Sequence, residues 1–164
     1  METLFGLPAH PLLVHVPVVL VPLAAIAVIA MAIRPKWLRT FGPIVAAMAG
    51  VGFIGTLLAA SSGEELEDTR RAAGETISKT LNDHAELGDT SQAFCAIFFV
   101  LLLAWVGFAW WRNRAGEEKA VAKVRKPKAV AAVLMVAAVL SGTVAATSIA
   151  MTGHNGAKAV WESK

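Results

Sequence analysis

The chain has 164 residues, 56% of them hydrophobic and 16% charged, and a mean hydropathy of +0.60. That is too apolar for a water-soluble domain of this length, and a single cysteine, Cys95, excludes a disulfide scaffold. The net charge of +3 is not gathered into a nucleic-acid patch, so no nucleic-acid partner is expected.

Four stretches carry no Asp, Glu, Lys or Arg: Thr3 to Ile33, Thr40 to Gly63, Thr90 to Trp111 and Ala129 to Ala157. Each exceeds the about 20 apolar residues that cross a bilayer. With no water in the hydrocarbon to satisfy the backbone, each stretch must be a helix. The expected fold is therefore all-α: an integral membrane four-helix bundle, a single domain over 1–164 with spans near 10–33, 41–61, 91–111 and 129–151. The first stretch lacks a basic leader and holds Pro8, Pro11, Pro17 and Pro22, so it reads as a retained span and not a secretory signal.

The linkers fix an expected orientation. Those at 34–40 and 112–128 carry ten basic residues against Glu117 and Glu118, whereas the rest of the chain holds five basic residues against ten acidic ones. The positive-inside rule makes the basic linkers cytoplasmic, with both termini and the long acidic linker 62–90 outward. The expected location is a bacterial plasma (inner) membrane. Trp37, Trp110 and Trp111 sit beside the basic residues, where interfacial anchors belong.

In the second span Gly42, Ala46 and Gly50 recur every four residues, followed by Gly52 and Gly55, and the fourth has paired small residues such as Ala137/Ala138 and Ala145/Ala146. Small residues let helix backbones approach closely. They could serve packing within one chain, self-association into a homo-oligomer or larger membrane complex, or space for a flat cofactor, with packing the leading reading. In the acidic linker Leu66, Ala73, Ile77 and Leu81 share roughly one helical face, which predicts a separate helix across the outer mouth, weakened by Gly74.

The main functional signal is histidine placement. All four, His10, His15, His84 and His154, fall at or near the outward end of a span. Imidazole ligates zinc, copper and iron and is the axial ligand of haem. His10 and His15 are five residues apart, roughly 140° of rotation on a regular helix, so their rings should diverge unless Pro17 and Pro22 distort the start of the span. His84 joins the third helix only if that helix extends back to Asp83. Gly153 and Gly156 around His154 suit close approach to something bulky. Asp83 and Glu86 are candidates to orient the ring N–H groups. The spacing lacks the paired ligands of a standard zinc site, and no nucleophile, phosphate-loop or dinucleotide motif is present.

The run Gly6-Leu7-Pro8-Ala9-His10-Pro11-Leu12-Leu13-Val14-His15-Val16-Pro17, with Gly153-His154-Asn155-Gly156 at the far end, resembles a bacterial family of four-span membrane proteins catalogued as domain of unknown function 2231. The resemblance covers nearly the whole chain. It implies a domain found with redox modules such as Rieske iron-sulfur domains, and a distant similarity to small b-type membrane cytochromes, with haem b on some of His10, His15, His84 and His154. No histidine lies near the cytoplasmic side, so electrons would move laterally, between a quinone or quinol and an outward redox protein.

The expected function is thus a membrane redox or metal-binding subunit holding haem b, or a transition-metal ion such as Cu or Zn, through those four histidines. The competing readings are a metal-ion transporter-like protein and a structural subunit of a larger complex with no cofactor. Spans without acidic or basic residues argue against the transporter. Whether a reaction is catalysed is left open.

Overall fold

The computed structural model describes residues 3–4, 7–76, 78–116 and 123–162, with side chains over 9–76, 78–116 and 123–158. A two-residue antiparallel pairing of Thr3–Leu4 with Leu7–Pro8 leads into helix α1, Ala9–Ile33. Helices α2, Lys36–Ala72, α3, Lys79–Ala115, and α4, Pro127–Glu162, follow. All four contain a stretch long and apolar enough to cross a membrane.

Short connections make consecutive helices antiparallel neighbours. α1 packs on α2, α2 on α3, α3 on α4 and α4 back on α1, leaving α1 and α3 on one diagonal and α2 and α4 on the other. The core between them holds Val21, Val28, Met31, Phe98, Leu102 and Trp105. Large apolar side chains such as Ile26, Ile44, Val100 and Leu140 face outward, as a surface solvated by lipid requires.

The glycines of α2 pack against neighbouring helices of the same chain. A Cβ on Gly42 or Gly50 would press on Val106 or Phe99 of α3, and one on Gly52 or Gly55 would press on Val21 or on Val16 and Pro17 of α1. One helix thus presents two bare rows to two neighbours. Pro17 and Pro22 do not break α1, which runs continuously past both.

The acidic linker departs from expectation. No separate helix crosses the mouth, because α2 and α3 each continue beyond their apolar stretches and meet in a tight turn. Gly74, at φ +80°, adopts the left-handed conformation that ends α2. Ser78 then caps α3, its hydroxyl accepting from the Leu81 N–H at 3.2 Å. Leu66 therefore belongs to α2 and Leu81 to α3, while Ile77 lies outside the described residues.

Burial also reveals a repeat that composition hides. Pro17, Val21, Ala24, Val28 and Met31 stand at the same spacing from His10 as Ser91, Cys95, Phe98, Leu102 and Trp105 do from His84, and all ten are buried. Val45, Ala49, Gly52, Gly55 and Thr56 likewise match Ala138, Gly142, Ala145, Ser148 and Ile149, counted back from Ala59 and Thr152. The bundle is two equivalent helical hairpins, α1–α2 and α3–α4, facing each other.

Candidate functional site

Helix order puts all four histidines toward the end of the bundle that carries the acidic turn: His10 opens α1, His84 lies in the first turns of α3, and His154 lies near the end of α4. The structure brings two of them together. The rings of His10 and His84 face each other across the α1/α3 diagonal with centroids 6.1 Å apart and planes at 87°.

Each ring is held the same way by its own hairpin. Nδ1 of His10 donates to the backbone carbonyl of Ala59 in α2 at 2.8 Å, and Nδ1 of His84 donates to that of Thr152 in α4 at 3.0 Å. A carbonyl only accepts, so Nδ1 carries the proton and the Nε2 of each neutral ring is a bare lone pair. Among the described residues neither Nε2 has a hydrogen-bond partner, and both rings are partly exposed. One helical turn past each accepting carbonyl stands a glycine. A Cβ on Gly63 would lie 3.1 Å from His10 Cε1, and one on Gly156 would lie 2.8 Å from His84 Cε1. Gly156 thus meets the expectation of close approach, and the bulky group is an imidazole; Gly153 faces open space.

The two hairpins differ beneath the rings. Under His84, Thr152 Oγ1 lies 3.2 Å from the Leu87 carbonyl and 3.0 Å from that of Ser148, so its proton goes to these. Ser91 Oγ sits 2.8 Å from Thr152 Oγ1 and 2.6 Å from Ser148 Oγ. With Thr152 committed to a carbonyl, one order satisfies all three hydroxyls: Ser148 donates to Ser91, Ser91 to Thr152, and Thr152 to a carbonyl. In the first hairpin the matching positions are Gly55, Pro17 and Ala59, with no hydroxyl. There Ser62 donates to Ala59 O at 2.8 Å and lies 3.3 Å from His10 Nδ1.

The other candidates stand apart. His15 is exposed and its Nδ1 turns back on the Pro11 carbonyl of its own helix, and His154 is exposed. The divergence of His10 and His15 follows their spacing on a regular helix. Asp83 and Glu86 are exposed, with Glu86 accepting from the Asn82 amide at 2.9 Å, so no described contact lets either orient an imidazole. Among the described residues no three His, Cys, Asp or Glu side chains group as a metal cage. The sequence reading missed Gly63, Ser62, Ser91 and Thr152. A glycine four residues beyond a small residue near the end of both α2 and α4 marks Gly63 and Thr152; no sequence signal marks Ser62 or Ser91.

At the opposite end, Arg34 lies over Trp37 at 5.2 Å and Arg114 over Trp110 at 4.5 Å. Both are paired cations and rings suited to an interface. Neither the curated proteins nor the solved structures give a match to this chain. The family described as Predicted membrane protein (DUF2231) matches residues 6–164. With four apolar helices over nearly that whole span, the chain belongs to the DUF2231 family of predicted membrane proteins.

Proposed function

We propose that this membrane protein is a redox or metal-binding subunit whose centre sits on the His10–His84 pair, at the outward mouth of the bundle. The observation that carries the reading is the pairing itself: two imidazoles from diagonal helices, each fixed through Nδ1 to a neighbouring backbone carbonyl, with no described partner on Nε2. Locking one ring nitrogen on a carbonyl is how proteins prepare the other as a ligand.

Two donors suit a centre that asks the protein for two ligands. His10 and His84 would hold a haem b iron, which would need two ligands from the protein, or a bare transition-metal ion. A zinc ion in a closed four-ligand site does not fit these residues. Haem b would supply one-electron chemistry. The chain's own contribution is to fix both imidazoles, keep the lower side of the pair dry, and present it to a quinol or an outward redox protein. His15 and His154 lie on the rim. With the basic linkers on the cytoplasmic side of a bacterial plasma membrane, both termini face out.

The test is the visible spectrum, oxidised and dithionite-reduced, of protein purified in mild detergent, with metal analysis on the same sample. Reduced α and Soret bands, or a stoichiometric transition metal, are expected. Colourless, metal-free protein that takes up neither haem nor ion would overturn the proposal and leave the structural-subunit reading.

A further inference from the structure

Resting on that reading of the His10–His84 pair, we infer that the site binds one monovalent copper ion in a nearly linear, two-coordinate arrangement, one imidazole from each hairpin. Three observations fit this class and set it apart from a bare zinc(II) or copper(II) ion.

Separation comes first. An ion about 2 Å from each Nε2 holds two imidazole centres roughly 5 Å apart at a tetrahedral angle and roughly 6 Å apart when the three atoms are in line. With both Nε2 atoms aimed at a shared ion, the observed 6.1 Å corresponds to the in-line arrangement. Two-coordinate, near-linear geometry is the habit of closed-shell copper(I). Zinc(II) asks for a tetrahedron and copper(II) for a tetragonal plane.

The second observation is the ligand count. No third donor joins the pair among the described residues, since Asp83, Glu86, His15 and His154 are exposed elsewhere. Cys95 is buried three turns deeper along α3 than His84. Gly63 and Gly156 abut the two rings where any other residue would bring a side chain. Among the described residues, therefore, the site offers two protein ligands, positioned by these contacts.

Charge is the third. Both rings are partly buried, and below them lie hydroxyls already committed to one another and the apolar core, with no carboxylate among the described buried residues. The cost of desolvating an ion rises with the square of its charge, so a monovalent ion pays about a quarter of what a divalent ion of the same size pays. Two neutral imidazoles and a single positive charge suit such a place.

The experiment is an anaerobic titration of the detergent-solubilised full chain with copper(I) against bicinchoninate, followed by copper K-edge absorption on the loaded wild-type protein. One copper per chain is expected, with two nitrogen neighbours in near-linear array. Binding should be lost in His10→Ala and in His84→Ala, kept in His15→Ala and His154→Ala, and not displaced by an equal concentration of zinc(II). The absorption measurement needs no variant, so it stands even if one misfolds. Three or four ligands, displacement by zinc, or equal binding in all four variants would overturn the assignment. Haem bands in the protein as isolated would leave the metal-centre reading in place and remove copper; protein that binds neither would remove both.

Discussion

At the residue scale, the candidate site depends on two glycines and a hydroxyl chain. Gly156→Val places atoms where the His84 ring now lies, because even a Cβ would come within 2.8 Å of Cε1. We expect it to break the His84–Thr152 bond without unfolding the bundle, since α4 packs on both α3 and α1 and its buried Ala138, Gly142 and Ala145 lie well away from Gly156. The check is 15N NMR of labelled histidine, in which the Nδ1-protonated form of His84 should disappear while that of His10 persists. Ser91 is 1% exposed and stands at the centre of the three hydroxyls. Ser91→Ala removes the link between Ser148 and Thr152 and leaves Ser148 without its acceptor, at a cost of about 1–2 kcal/mol, measurable by denaturant titration in mixed micelles. An unchanged unfolding midpoint would show that the chain of hydroxyls holds nothing together.

At the scale of the elements, α2 carries the contrast that tests its packing role. Gly52→Leu would drive a side chain into Val21, whose Cγ2 would already lie 2.8 Å from a Cβ, and should destabilise the protein by about 1–3 kcal/mol. Gly107 in α3 meets nothing within 4 Å. Gly107→Ala should be neutral or stabilise by up to about 1 kcal/mol, since alanine is the better helix former. Thermal melts of the two variants side by side decide the matter, and equal effects would contradict the bare-row account. The spans were legible in the sequence because absence of charge over twenty residues has one physical meaning in a chain this apolar. Their ends were not. The polar extensions of α2 and α3 carry no hydrophobic signature, and only Gly74 and Ser78 mark where one stops and the other begins.

At the scale of the whole molecule, the fold is a repeated hairpin, and the repeat explains what one histidine at a time could not. The order of four charge-free stretches gave the bundle, but which histidines meet depends on the face each presents, and no local pattern states that. His10 and His15 are sequence neighbours and part ways; His10 and His84 are far apart in the chain and meet because they occupy equivalent places in equivalent hairpins. The repeat was hard to see because the matched residues differ in kind, Pro17 against Ser91 and Gly55 against Ser148, and only their burial recurs. Charge asymmetry belongs to this scale too. Accessibility tagging of single cysteines placed at Thr76 and Arg125, in Cys95→Ser background, should label Thr76 from outside the cell and Arg125 only after permeabilisation. The reverse pattern would put the histidine pair on the cytoplasmic side and end the outward-partner reading.

The central claim is that His10 and His84 alone form the site. Its most direct test is bound haem and metal per chain in four purified single variants, His10→Ala, His15→Ala, His84→Ala and His154→Ala, beside wild type. The account predicts loss of the bound centre from the His10 and His84 variants and near wild-type content in the other two. Loss that instead follows His15 or His154, with His10 and His84 dispensable, would contradict it.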